Sequence, residues 1–159
     1  MNRFVSNFFL RLDAKGRVSI PAAFRAVLAR DGFEGVYCYP TLDAPALDAG
    51  GNALLEEIDT LTRQFPPYSD ERDRLSLALF GTSETLKVDA DGRVVLSEPL
   101  LAHAGIQGSI AFVGLGHKFQ IWEPDRFRAQ LAEATEKVRA LKRQLGSRMA
   151  GAQTRGARE

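Results

Sequence analysis

Cysteine, histidine and tryptophan are scarce: the 159 residues hold one, two and one of them. A lone Cys38 excludes a disulfide within the chain and suits a reducing compartment. It lies in the apolar run Val36-Tyr37-Cys38-Tyr39, where a buried structural thiol is expected rather than a nucleophile. His103 and His117 stand far apart with no second ligand at metal spacing, so each reads as an ordinary polar residue. No apolar run approaches the roughly 20 residues of a membrane span. The opening residues are broken by Ser6, Asn7 and Arg11 with no small-residue cleavage site after them, so a soluble, intracellular protein is expected. No Gly-Lys-Ser/Thr phosphate loop occurs, and Gly114-Leu115-Gly116 lacks the strand–turn–helix setting of a dinucleotide site. The carboxylates Glu56, Glu57 and Asp59 fall on the solvent side of a helix whose apolar stripe is Leu54, Ile58 and Leu61. Nothing assembles a nucleophile, a base and an oxyanion site; no enzyme, cofactor or metal is expected.

A net charge of only +1 hides a strong asymmetry. Residues 1–30 carry six bases (Arg3, Arg11, Lys15, Arg17, Arg25, Arg30) against Asp13 alone. Residues 31–62 carry seven acids and no base. Either the two blocks pair with each other, within or between subunits, or the basic block faces a polyanion and the acidic block faces elsewhere. Composition does not choose between them.

Repetition says more. Asp13-Ala-Lys-Gly-Arg-Val-Ser-Ile-Pro21 recurs as Asp89-Ala-Asp-Gly-Arg-Val-Val-Leu-Ser97, a shift of 76. Leu10 and Leu12 enter the first turn and Val18 and Ile20 leave it; Leu86 and Val88, Val94 and Leu96 do the same for the second. Period-two alternation around Asp-x-x-Gly predicts a hairpin, with Asp bonding the backbone ahead of it and Gly taking a positive φ. Each copy continues with a proline-started helix ended by Gly32 or Gly105, a short apolar strand, and a longer helix. The stripe of the longer helix is Leu54, Ile58, Leu61 and Phe65 in copy one, and Phe127, Leu131, Ala134 and Val138 in copy two. Between the copies, Pro66-Pro67 breaks the chain and a helix from about Asp70 to Phe80 follows. After Gly146 no apolar period remains, and residues 147–159 are expected to be disordered.

An arginine directly after the turn glycine projects from a narrow, rigid tip, and a two-stranded ribbon fits the major groove of DNA. Its planar fork can grip a phosphate or a guanine edge. Lys15 adds a cation in copy one, whereas copy two has Asp91, which would face phosphates unfavourably. The alternative is that Arg17 and Arg93 each pair with their own loop aspartate, or with an acid of a neighbouring turn, and hold the turns together.

Asp13-Ala-Lys-Gly-Arg-Val-Ser-Ile-Pro-Ala-Ala-Phe-Arg25, its degenerate second copy, and Phe119-Gln-Ile-Trp122 resemble the MraZ family of bacterial transcriptional regulators. The resemblance spans residues 4 to about 145. It implies an α+β fold of two tandem AbrB-like swapped-hairpin repeats, at 7–54 and 83–126, a C-terminal helix at 127–145, and a ring-shaped homo-oligomer. It also implies binding, usually as a repressor, to short direct repeats in double-stranded DNA ahead of the division and cell-wall gene cluster, in a cytoplasmic, nucleoid-associated protein. The DNA-contact candidates are Lys15 and Arg17, with Arg11, Arg25 and Arg93 beside them; copy two departs from the pattern at Asp91 and Ser97. The first turn is thus expected to read DNA and the second mainly to build the assembly. The rivals are a purely structural ring and a different AbrB-like protein, such as the antitoxin partner of a toxin; two complete repeats in one chain argue against the latter.

Overall fold

The computed structural model describes residues 2–158, with side chains through Ala152. The chain divides into two compact units after Pro124. The first is a mixed α+β body. Its order is β1 (Asn7–Arg11), β2 (Arg17–Ser19), α1 (Ala22–Asp31), β3 (Val36–Pro40), β4 (Ala46–Gly50), α2 (Asn52–Thr62), α3 (Asp70–Leu79), β5 (Glu84–Leu86), β6 (Arg93–Val95), α4 (Glu98–Ala104), β7 (Ser109–Gly114) and β8 (Phe119–Trp122). The second unit is helix α5 (Pro124–Arg158), whose first residue closes the first unit.

The strands flanking each turn are too short to form a stable hairpin alone, and they do not pair with each other. The turns are tight: the Asp13 N–H donates to the Arg17 carbonyl at 2.8 Å and the Gly16 N–H to the Asp13 carbonyl at 3.0 Å. The second turn repeats this at Asp89–Arg93 (2.9 Å) and Gly92–Asp89 (3.0 Å). Beyond them the arms part. β1 runs antiparallel to β7, from Asn7 opposite Val113 to Arg11 opposite Ser109. β5 runs antiparallel to β3, and β2 pairs with β6 as a separate two-stranded sheet. Each arm of one copy therefore takes its partner from the other copy, which corrects the expectation of two local hairpins. Alternation shows that one face of a strand is buried; it does not say which neighbour accepts its N–H groups.

The large sheet has the order β1-β7-β8-β4-β3-β5, which reads the same when each strand is exchanged for its counterpart in the other copy. The residues leaving both turns, Val18, Ile20, Val94 and Leu96, are at most 3% exposed and share one core. Phe24 of α1 sits at its centre, with ring centroids of Phe4, Phe8 and Phe119 at 5.3, 5.4 and 4.9 Å. Helices α1 and α4 end as the sequence requires, at Gly32 (φ 78°) and Gly105 (φ 65°). Pro21 caps α1 from just outside it. A second, smaller core under α2 and α3 joins Tyr37, Tyr39, Leu54, Ile58 and Leu79, with the Tyr37 hydroxyl donating to the Leu79 carbonyl at 2.9 Å.

Three expectations change. The stripe of α2 stops short: the helix ends at Thr62, Phe65 lies beyond it, and Leu61 is 46% exposed. Strand β4 has no sequence signature, because Ala-Leu-Asp-Ala-Gly is poor in β-formers and carries an acid inward. Lastly, the helix expected over 127–145 runs from Pro124 to Arg158, so residues 147–158 are helical rather than disordered. A missing apolar period shows that a helix has no buried stripe, not that it is absent. The side chains of Arg155 and Arg158 lie outside the described residues.

Cys38 is fully buried between Ala49 of β4 and Glu84 of β5, and burial pushes its thiol well above the usual range. A maleimide or disulfide reagent is expected to leave native protein unlabelled and to react fully once urea unfolds it. Rapid labelling under native conditions would contradict this placement. Among the described residues no helix is long and apolar enough to cross a membrane.

Candidate nucleic-acid interface

Both turns are built alike. Asp13 Oδ1 accepts the backbone N–H groups of Lys15 and Arg17, each at 2.9 Å, and Asp89 Oδ1 accepts those of Asp91 and Arg93 at the same distances. Gly16 and Gly92 both take φ 77°, where a residue with a Cβ is strained. Because the carboxylate is bonded to the chain on both sides of the glycine, the arginine that follows leaves the turn in one direction.

The two arginines are used differently. Arg17 Nε donates to Asp13 Oδ2 at 2.6 Å, and no other partner of its guanidinium is found among the described residues. Its two terminal amino groups remain available to an external acceptor. Arg93 is held on two of its three nitrogens: Nε donates to Asp89 Oδ2 at 3.2 Å and Nη2 to Asp91 Oδ2 at 3.0 Å, while Nη1 lies 4.0 Å from Asp13 Oδ2, close enough for charge attraction only. The pairing of each arginine with its own loop acid, left open by the sequence, thus occurs at both turns, but at the first it occupies one edge only.

Of the other candidates, Lys15 is exposed beside Arg17, and Arg11 is exposed at the end of β1. Arg25 is found elsewhere. Its Nε donates to the Ile20 carbonyl at 3.2 Å, and its guanidinium lies over Gly92, where an added Cβ would come within 2.8 Å of it. The second turn is covered by an arginine from copy one, whereas a Cβ at Gly16 would meet nothing within 4 Å. Leu101, the residue corresponding to Arg25 at a shift of 76, gives the first turn no such cover. Ser97, standing where copy one has Pro21, donates its hydroxyl to Glu84 Oε2 at 2.5 Å and ties α4 to β5. Both departures of copy two therefore make contacts within the chain.

Three acids of the acidic block have partners of their own. Asp31 receives the N–H groups of Asn52 and Ala53 at the start of α2 (2.5 and 3.2 Å). Asp48, 4% exposed, accepts from Thr41, Gln120 and Lys118 at 3.0, 2.8 and 3.1 Å, and Glu57 pairs with His117. Apart from Thr41, these partners lie at least 21 residues away and carry no sequence signal. Among the described residues no ion pair joins Arg3, Arg11, Lys15, Arg17 or Arg25 to an acid of residues 31–62, so those five bases are not neutralised by the acidic block. No cluster of three His, Cys, Asp or Glu is placed to hold a metal among the described residues.

The N–H groups of Arg17 and Arg93, and the guanidiniums beside them, hold the Asp13 and Asp89 carboxyls below the ordinary value of 3.8. A carboxyl depressed on folding stabilises the folded turn above its ordinary value, and that contribution is lost as pH falls through the lower, folded value. Carboxyl NMR titration is expected to place both midpoints below 3.8. A midpoint at or above it would mean that the carboxylates do not organise the turns.

The profile of a family described as "MraZ protein, putative antitoxin-like" matches residues 79–147. A relative from Xanthobacter autotrophicus is 64% identical over 148 residues, covering 93% of this chain and 94% of its own. One from Azorhizobium caulinodans is 60% identical over 147 residues (92% and 94%), and one from Parvibaculum lavamentivorans 41% over 157 residues (98% of each). All three bear the name Transcriptional regulator MraZ, a role that is not enzymatic. With that identity running through both copies of the repeat, the chain belongs to the MraZ family.

Proposed function

We propose that this chain is a sequence-specific DNA-binding transcriptional regulator. It recognises short direct repeats upstream of the division and cell-wall gene cluster, usually as a repressor, in the cytoplasm at the nucleoid. The observation that carries this reading is the first turn: an arginine held by one edge, with its two terminal amino groups open and Lys15 beside it. Such a fork can accept a phosphate or guanine O6 and N7. Arg11, on the exposed end of β1, adds sequence-independent attraction. Arg25 and Arg93, drawn into the second turn, build the support.

Two tandem AbrB-like repeats, 7–54 and 83–126, with their turn arms exchanged between copies, give the body in which both turns rest on one core. A ring of such bodies repeats the first turn at fixed spacing. One turn offers few cations and would bind weakly, but several turns on successive boxes act together through effective concentration. Direct repeats suit that geometry.

The test is a mobility-shift titration with the DNA upstream of the chain's own gene at two salt concentrations, with the mass followed by light scattering. Affinity is expected to fall steeply with salt while the assembly persists. No shift at low salt would refute the reading. The purely structural ring, favoured by the Arg17–Asp13 pair, gives no shift at either concentration. Asp13→Ala supplies a sharper check: it removes a negative charge from the turn, yet is expected to weaken DNA binding several-fold, because Arg17 loses its anchor.

A further inference from the structure

Helix α5 carries an exposed apolar seam that the DNA reading leaves unused. Leu131, Val138 and Leu145 recur every seven residues with Ala134 and Leu141 between them, a heptad pattern. The four larger side chains are 49–61% exposed, and Met149 beyond them is 60% exposed. Lys137 and Lys142 flank the seam. Lys137 pairs with Glu133 at 2.8 Å and Arg139 with Glu136 at 2.9 Å on the same helix, but from Lys137 to Arg158 there are seven bases and no acid, so the helix stays basic. Two such helices laid together would set like charges against each other along the seam, which opposes their association. A narrow seam without aromatic residues is also unlike the broad, aromatic-anchored face of a membrane-surface helix.

A complementary surface lies in the first unit. A depression floored by the buried Tyr39, Ile58 and Leu79 is edged by the exposed Leu42 and Leu61, which are 56% and 46% exposed. Around it stand Asp43 and Glu57, with Glu56 and Asp59 alongside on α2. Local bases offset this charge only in part: Lys118 is committed to the buried Asp48 and His117 to Glu57, while Arg63, just past the end of α2, keeps its charge, its Nε bonding the neutral Asp59 carbonyl at 3.1 Å. Asp43, Glu56 and Asp59 are left facing solvent.

We infer that the basic apolar seam of α5 docks on the acidic apolar face of α2 and the β3–β4 loop in a second copy of this chain. The contact joins two different patches, so it is head-to-tail and generates a ring where the rotation closes. The apolar groups supply the burial, and the charges fix partner and register. The inference rests on the proposed ring and names one of its interfaces.

Two variants test it: Lys137→Glu with Lys142→Glu on α5, and Glu56→Lys with Asp59→Lys on α2. All four positions are exposed, and circular dichroism confirms that each variant folds. Each alone is expected to lower the light-scattering mass at least about twofold, toward the 17.5 kDa of one chain. Mixed one to one they should reassemble, since the acidic α5 of one then faces the basic α2 of the other. A contact made within one chain could not be rescued by mixing. The inference is overturned if both variants keep the wild-type mass, or if mixing restores nothing. It is equally overturned if the α5 variant changes only the salt dependence of DNA binding, or only binding to anionic vesicles, since α5 then serves a different polyanion. A monomeric wild-type chain would refute the ring itself, whereas an intact ring in both variants refutes this interface alone.

Discussion

Phe24→Ala is expected to cost about 3–5 kcal/mol of stability, the range found when a buried phenylalanine is truncated. The ring is 1% exposed and touches three others edge-on or tilted, all within 5.4 Å. Phe8 of β1, Phe119 of β8 and the bridged Phe4 close around it, so the hole has few flexible neighbours to fill it. Since small domains hold only about 5–15 kcal/mol in total, much of the population would be near unfolding at physiological temperature. Urea denaturation measures this as a lowered midpoint at unchanged slope. Leu77→Ala on α3, at a position 70% exposed, is expected to stay within about 0.5 kcal/mol. The damage reaches the site as well, because Phe24 precedes Arg25, and α1 carries the guanidinium that covers Gly92.

Arg17→Ala is expected to remove about 1–3 kcal/mol of DNA affinity per engaged turn, roughly 5- to 150-fold. When several turns bind together these decrements compound, and specific binding disappears at moderate salt. Stability should hardly move, because the substitution deletes a single, partly exposed ion pair with Asp13, of a kind that contributes little. Arg17→Lys is expected to retain electrostatic attraction and lose sequence preference, as an ammonium lacks the planar fork. Titration of repeat-containing and scrambled DNA separates the two effects.

The parts of the fold legible in the sequence are those fixed by local chemistry. Asp-x-x-Gly dictates two equivalent turns, and the glycine ends of α1 and α4 fall where expected. What escapes is set by distant partners. The arms of the turns alternate like hairpin strands, yet β1 finds β7 and β5 finds β3 across more than 40 residues. Strand β4 carries Asp48 inward because Lys118, Gln120 and Thr41 meet it there, a network no spacing rule reveals. At the candidate site, the difference between Lys15 and Asp91 already separates the two turns. The role of Arg25 is not visible, since a cation in a basic block reads as a ligand contact until its position over Gly92 is seen. Helix α5 shows the converse: beyond Gly146 the apolar stripe ends but the helix does not, so periodicity alone misreads the segment as disordered.

The division of labour between the turns is tested most directly by measuring Arg17→Ala and Arg93→Ala side by side, for DNA affinity against salt and for thermal unfolding. The expected result is that Arg17→Ala loses binding at unchanged unfolding temperature, while Arg93→Ala keeps most of its affinity and unfolds earlier, because its removal leaves Asp89 and Asp91 in one turn without the cation they share. Equal loss of DNA binding in both variants at unchanged stability would contradict the account, for the second turn would then be a reader as well.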